Sequence, residues 1–158
     1  AEVATITLTT PPMGYVDRPA PRTGLEGKFS FQYALAAAFL DGAVTIETFT
    51  DARLQQPDIQ SLLPRIRVRQ DPSIPADLPD MWVVATAECV DGRVIEVHAD
   101  SPQGLWRRPL SGEEHRAKVW ECMRGRVSDA VIEQCISAVD SLEALDGEDV
   151  RSMIRLLG

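Results

Sequence analysis

The sequence predicts an α+β fold: a largely antiparallel sheet with helices on one face, followed by about three C-terminal helices. Three observations support this prediction. Residues 3–9 alternate apolar side chains with threonine, which is the period-two pattern of a half-buried strand. Asp91-Gly92 separates two further strand-like segments, residues 81–90 and 93–99, and is a strong signal for a β-hairpin. After Pro109 the pattern is helical throughout.

A short central helix is predicted within residues 27–42, GKFSFQYALAAAFLDG. Ser30 can accept a free amide of the first turn as N-cap, and Gly42 suits the left-handed conformation that follows a helix. Three consecutive alanines leave almost no side chain in the middle of this segment. We therefore expect another part of the chain to pack closely against the helix backbone there.

The segments around this helix are less regular. Pro11 and Pro12 end the first strand, and residues 13–26 form a long loop, a type of loop that is often functional in a compact domain. Residues 43–48 are predicted to be briefly extended. Short helices are then predicted after Thr50 and from Pro57, before an arginine-rich strand over residues 65–70.

The type of turn in the hairpin determines which side chains of its second strand lie on the apolar face of the first. A two-residue turn would place Glu96 and His98 on the apolar face of the preceding strand. A bulge at Gly92 would shift the parity by one residue and bring Ile95 and Val97 onto that face instead. We predict the bulge.

Three capped helices are predicted in the last third of the chain. Ser111 and Glu114 form a capping box that opens a helix ending near Arg124. Ser128 caps a second helix, whose apolar stripe consists of Val131, Ile132, Cys135, Ile136 and Val139. Asp146 caps a third helix, whose apolar side consists of Val150, Met153, Ile154 and Leu157.

The chain is accordingly divided into an α/β part, residues 1–108, and a C-terminal helical segment, residues 109–158. The two apolar stripes of that segment need a covering partner. We expect them to pack on one another, on the α/β part or on a second copy, and we predict a homo-oligomer.

Composition narrows the classes of function. The 158-residue chain carries a net charge of −8 and has a pI near 4.7, which argues against a nucleic-acid or anionic-membrane partner. No apolar run approaches the roughly 20 residues of a membrane span, and no signal peptide is recognisable. Three scattered cysteines and two histidines favour a reducing cytoplasm and no metal site. The start at Ala1 suggests a fragment.

Three motifs resemble the MmgE/PrpD family in their order and spacing. They are YVDRP at residues 15–19, SFQYALAAAFLDG at residues 30–42 and GLWRRPLS at residues 104–111. The family includes 2-methylcitrate dehydratases, cis-aconitate decarboxylases and iminodisuccinate epimerases, and the chain is most similar to the cis-aconitate decarboxylase-like members. The resemblance covers nearly all of this chain but only the last third of a family member.

The resemblance implies an architecture and a chemistry. Residues 1–108 would be an α/β lid, and residues 109–158 would return to an all-helical domain that this chain lacks. Family members dehydrate, decarboxylate or epimerise small di- and tricarboxylic acids without metal or organic cofactor. Such reactions need a positioned acid/base group and cations or amides for the carboxylates. Most of these groups come from family segments that precede this chain, so the chain alone is expected to be inactive.

Four residues are candidates for the site, and the resemblance suggests the first of them. Tyr15 is the catalytic candidate, because its YVDRP context matches a lid tyrosine that points into the cleft, where a phenol could hydrogen-bond a carboxylate or shuttle a proton. Lys28 and Ser30, at the amino end of the central helix, and Arg18, through its planar guanidinium, are the substrate-binding candidates.

Each candidate has a structural alternative that the sequence leaves open. Tyr15 could pack on the sheet edge, and Lys28 could be a solvated lysine beside an N-cap serine. Arg18 could brace the loop through a salt bridge with Asp17 or Glu26. The chain as a whole could instead be a stand-alone module with the lid fold that binds small anions or serves in assembly.

Overall fold

A computed structural model of the chain describes residues 2–156 and divides into two compact units, one ending at Pro109 and one beginning at Leu110. The first unit contains strands β1 Val3–Thr10, β2 Ile66–Gln70, β3 Val83–Cys89 and β4 Val94–Ala99 and helices α1 Gly24–Gly27, α2 Phe31–Asp41, α3 Asp51–Leu54 and α4 Pro57–Leu62. The second unit contains helices α5 Gly112–Met123, α6 Asp129–Asp140 and α7 Gly147–Arg155.

The four strands form one sheet in the order β2-β1-β3-β4. β1 pairs antiparallel with β3, and β3 pairs antiparallel with β4, which confirms the predicted α+β fold with a largely antiparallel sheet. β1 and β2 are parallel, a pairing that the sequence did not reveal. A parallel connection must cross over the sheet, and the segment containing α1–α4 makes that crossover.

The core lies where these helices cover one face of the sheet. Ile6 on β1 is in register with Ile66 on β2 and Ala87 on β3, so the three side chains share a face. α2 contributes buried residues to the same cluster, namely Tyr33, Ala36 and Ala37. This burial agrees with the expected close packing at the alanines, although the third alanine, Ala38, is exposed.

The β3–β4 hairpin has the predicted bulge. The Cys89 amide donates to the Arg93 carbonyl at 2.8 Å, and the Gly92 amide donates back to the Cys89 carbonyl at 3.0 Å. Gly92 has a φ of +83°, which glycine adopts without strain. The resulting register pairs Ala87 with Ile95. The next pair on the same face again joins a small residue to a branched apolar one. Ile95 is therefore on the face where it was predicted.

Two irregular segments differ from the sequence prediction. Residues 43–48 form no strand; their end enters a 3-10 turn, Glu47–Phe49, and the Thr48 hydroxyl accepts the Thr45 amide at 3.0 Å. The long loop contains a 3-10 turn, Gly14–Val16, and the four-residue helix α1, both of which were missed. Two glycines in α1 lower its helix propensity, so tertiary packing rather than local sequence determines it.

Those two glycines allow close backbone packing. A Cβ added at Gly24 would lie 2.1 Å from the Phe49 carbonyl oxygen, and one added at Gly27 would lie 2.5 Å from the Tyr33 ring. The Tyr33 hydroxyl in turn donates to the Thr48 carbonyl, and burial raises the pKa of this phenol. α1 is thus fixed between the segment after α2 and α2 itself.

We predict that Gly24→Ala destabilises the protein by about 2 kcal/mol, because the methyl group meets a backbone carbonyl that cannot rotate away. Urea unfolding at neutral pH measures this change. Gly112→Ala is the control, since no atom lies within 4 Å of its added Cβ. Equal stability of the two variants would contradict the close packing of α1.

Arg53 connects the ends of three helices. Its guanidinium donates to both carboxylate oxygens of Asp41, at 3.0 and 2.7 Å, and to both of Asp58, at 2.8 and 3.0 Å. These charge-assisted bonds hold the pKa of both aspartates below the ordinary value. A lowered pKa in the folded protein favours folding above the ordinary aspartate pKa, about 4, and this contribution is lost as the pH falls through the folded-state pKa.

Arg53→Met should therefore lower the free energy of unfolding at pH 7, and the difference from the wild type should shrink as the pH falls below about 4. Denaturant unfolding at a series of pH values measures both effects. Arg67→Met is the control, because it removes the same charge from an exposed strand position that forms no ion pair among residues 2–156. A deficit that is independent of pH would contradict the assigned role of Arg53.

The second unit consists of the three predicted helices. Ser111, Ser128 and Asp146 cap α5, α6 and α7, as predicted, and the cap at Asp146 is a capping box like the predicted one at Ser111. Ile132 and Cys135 of the α6 stripe are buried, whereas Val139 is exposed. An apolar groove of about 250 Å³ lies among the three helices. The predicted α7 stripe included Leu157, which lies outside the described residues. No helix within residues 2–156 is long and apolar enough to cross a membrane.

Candidate functional site: the loop after β1

The candidate residues lie near one edge of the sheet. β1 and the parallel strand β2 end together, and the Asp71 amide just beyond β2 donates to the Thr10 carbonyl at 2.8 Å. The 3-10 turn Gly14–Val16 lies beside this edge, since a Cβ on Gly14 would be 3.9 Å from Gln70 Nε2. Loops beyond the carboxyl ends of parallel strands are a common place for ligand sites.

Two side chains from the first turn of α2 hold the backbone of this loop. The Arg18 amide donates to Gln32 Oε1 at 3.2 Å, and the Arg18 carbonyl accepts from the Ser30 hydroxyl at 2.6 Å. Gln32 Nε2 also donates to the Asp17 carboxylate at 2.5 Å. We call Ser30 and Gln32, with these bonds, the Ser30–Gln32 clamp. Both side chains are buried, so their polar groups depend on the loop for hydrogen bonds.

Tyr15 lies in the turn that the clamp supports. Its side chain is 62% exposed, and its carbonyl accepts from Arg18 Nε at 3.1 Å. The Arg18 guanidinium also lies 5.6 Å from the centre of the Phe29 ring. An exposed phenol and a guanidinium are therefore connected within one short turn next to the amino end of α2.

The structural alternative for Arg18, a salt bridge with Asp17 or Glu26, is wrong for the part of the chain that the structure describes. The Asp17 carboxylate is bound by Gln32, and the Glu26 carboxylate accepts the Arg22 amide at 2.7 Å. No ion pair involves Arg18 within residues 2–156. Its guanidinium keeps the capacity for two parallel hydrogen bonds to a carboxylate.

Ser30 is placed differently from the other candidates. It is 2% exposed, and its hydroxyl accepts the Tyr33 amide at 3.0 Å as the predicted N-cap. Its single O–H is already donated to the Arg18 carbonyl. Direct contact of Ser30 with a substrate stays a prediction, while its contacts in the structure position Arg18.

Lys28 belongs to a separate set of contacts. It follows α1 directly, and its ammonium lies 6.0 Å from the centre of the Phe49 ring. Among the described residues, no hydrogen bond or ion pair joins it to Tyr15 or Arg18. The structure therefore connects Tyr15, Arg18 and Ser30, and leaves Lys28 as an exposed cation beside a neighbouring ring.

Gln32 is the site residue to which the sequence analysis assigned no role of its own. The available signal was a polar residue in the first turn of a helix that is otherwise apolar. For metals, residues 2–156 contain no group of three or more histidine, cysteine, aspartate or glutamate side chains arranged to hold an ion.

The fold and this loop define the class of protein: an α+β domain whose candidate site lies on the loop after the first strand of a mixed sheet. The profile of the MmgE/PrpD C-terminal domain matches residues 1–143. The chain is 31% identical to the cis-aconitate decarboxylase of Mus musculus over 96% of its length, and 29% identical to that of Homo sapiens over 89%. The chain belongs to the MmgE/PrpD family. It spans about a third of each relative, 31% of the mouse protein and 29% of the human one.

We predict that Gln32→Met loosens the loop and costs about 1 kcal/mol, because it removes the Gln32 bonds to the Arg18 amide and the Asp17 carboxylate and leaves that amide only its 3.2 Å bond to the Val16 carbonyl. Hydrogen exchange at the Arg18 amide should accelerate while exchange in β1 and β3 stays slow. Gln60→Met is the control, since it also removes a glutamine side chain that bonds to a distant residue, the Leu54 carbonyl, but leaves the loop untouched. Unchanged protection at Arg18 would disprove the clamp.

Proposed function

We propose that this chain is the lid part of a cofactor-independent lyase or isomerase that acts on small di- or tricarboxylic acids. Membership of the MmgE/PrpD family and the two cis-aconitate decarboxylase relatives support the class of reaction. The observation that carries the proposal is the Ser30–Gln32 clamp. It holds an exposed phenol together in one turn with a guanidinium that forms no ion pair among residues 2–156.

Arg18 binds a substrate carboxylate in this proposal. The chain has a net charge of −8, so an acidic substrate needs a local cation to approach this surface. A guanidinium can form two parallel hydrogen bonds to a carboxylate, which fixes the orientation of the acid as well as its position. Lys28 adds a second, more distant cation. Ser30 acts chiefly by holding the Arg18 carbonyl.

Tyr15 is the catalytic residue in this proposal. Its hydroxyl either donates a hydrogen bond to the carboxylate next to the reacting carbon or carries a proton to or from that carbon. The hydrogen bond would stabilise the negative charge that develops when a proton is removed from the carbon next to a carboxylate, and the proton transfer would supply the acid or the base for that step. Neither role requires a metal or an organic cofactor.

The remaining acid/base groups come from a helical domain that corresponds to the rest of the relatives' length. The chain alone should therefore be inactive, and the helical domain is its first partner. We place the protein in the cytoplasm, because Cys89, Cys122 and Cys135 are all free thiols.

Turnover of cis-aconitate, 2-methylcitrate and iminodisuccinate by the full-length protein that carries this domain tests the proposal. Tyr15→Phe should lower kcat by at least about tenfold, because it removes only the hydroxyl. Arg18→Gln should raise KM, because it removes a carboxylate contact. Arg22→Gln, which removes a cation from the same loop, is the control and should leave both parameters unchanged.

The possible outcomes separate the parts of the proposal. Normal kcat in Tyr15→Phe would reject the role of Tyr15 and keep the family assignment. Turnover by residues 1–158 alone would contradict the requirement for a second domain. No turnover of any of the three acids, combined with thermal stabilisation by citrate, would favour an anion-binding module.

A further inference from the structure

We infer that Phe29 is a positioning residue for Arg18, whose guanidinium it holds so that a substrate carboxylate binds end-on at the two Nη groups. The inference rests on the function proposed above, in which Arg18 binds a carboxylate of the acid. It adds the part of the guanidinium that the carboxylate contacts and a residue outside the Ser30–Gln32 clamp that orients it.

Phe29 is a large apolar residue at a position where the helix itself offers it little to pack against. It directly precedes the N-cap Ser30, and its side chain is 46% exposed. A residue in this position often packs on the fourth residue of the helix as a hydrophobic staple. That residue is Ala34, which presents only a methyl group. The Phe29 ring lies against Arg18, with its centre 5.6 Å from the guanidinium carbon.

The contact between this ring and the guanidinium is attractive. The face of an aromatic ring carries partial negative charge, and a cation within about 6 Å of the ring centre is drawn to it. The planar guanidinium of arginine can also stack on such a ring, which covers one of its faces from water. Within residues 2–156 the Arg18 side chain forms no ion pair, so the Phe29 ring and the Tyr15 carbonyl determine its orientation.

The donors that Arg18 has left define how a carboxylate can bind. A guanidinium has five N–H donors, one on Nε and two on each Nη. Arg18 Nε already donates to the Tyr15 carbonyl at 3.1 Å. Two parallel bonds to a carboxylate can be formed by Nε with one Nη or by both Nη groups. The second arrangement keeps the bond to Tyr15, so the acid approaches end-on, in the plane of the guanidinium.

A crystal structure of the full-length protein with a bound acid tests the end-on geometry. Both oxygens of one carboxylate should lie within hydrogen-bond distance of the two Nη groups of Arg18. Nε should still donate to the Tyr15 carbonyl, and the Phe29 ring should still cover the guanidinium. A carboxylate bound at Nε, with the bond to Tyr15 broken, would overturn this geometry.

Steady-state kinetics of the full-length protein, with the acid that it turns over, test the role of Phe29. Phe29→Leu should raise KM about threefold and leave kcat unchanged, because Arg18 loses one of the two groups that orient it. Phe29→Tyr keeps the aromatic ring and should behave as the wild type does. Phe39→Leu is the matched control, since Phe39 is 51% exposed near the other end of α2, and it should leave KM unchanged.

A double-mutant cycle separates positioning of Arg18 from a general loosening of the loop. In the Arg18→Gln background, Phe29→Leu should raise KM no further, because no guanidinium is left to orient. Additive effects, or an equal rise of KM in Phe39→Leu, would overturn the inference. An unchanged KM in Phe29→Leu beside a raised KM in Arg18→Gln would overturn the role of Phe29 and keep the proposed function. An unchanged KM in Arg18→Gln would reject the carboxylate contact of the proposed function, and this inference with it.

Discussion

The hydrogen bonds between the first turn of α2 and the backbone of Arg18 are the constraint on which the candidate site depends. Ser30 and Gln32 are buried polar residues, and burial without partners would be costly. The loop supplies those partners at the Arg18 amide and carbonyl. The same bonds also hold the loop in one conformation. A tyrosine and an arginine on an irregular segment thereby acquire defined positions.

The Ser30–Gln32 clamp is rigid only if α2 itself is held in place. Packing against the sheet fixes the buried face of α2 through Tyr33, Ala36 and Ala37. Gly24 and Gly27 let α1 approach closely from the side, and Arg53 connects the C-terminal end of α2 to α3 and α4. Core packing, close glycine contacts and one charge network therefore hold α2 in place. Through the Ser30–Gln32 clamp, α2 in turn positions the loop after β1.

Local pattern predicted the strands, the capped helices and the bulge at Gly92, because each depends on residues close in the chain. The parallel pairing of β1 with β2 depends on residues sixty positions apart, and no local signal announces it. α1 was not predicted because glycine is a poor helix former. Its glycines instead allow close packing, in one case against a distant carbonyl. Of the candidate site, the family motifs indicated Tyr15, Arg18 and Ser30, whereas the role of Gln32 appears only once α2 and the loop are folded together.

The most direct test of the central claim is the position of a bound tricarboxylic acid in a crystal structure of the full-length protein. If the clamp builds a substrate site, the Tyr15 hydroxyl and the Arg18 guanidinium will both lie within hydrogen-bond distance of the acid, with the Ser30 and Gln32 bonds to Arg18 intact. An acid bound elsewhere, with Tyr15 and Arg18 still facing solvent, would contradict the account and leave the clamp as a purely structural feature.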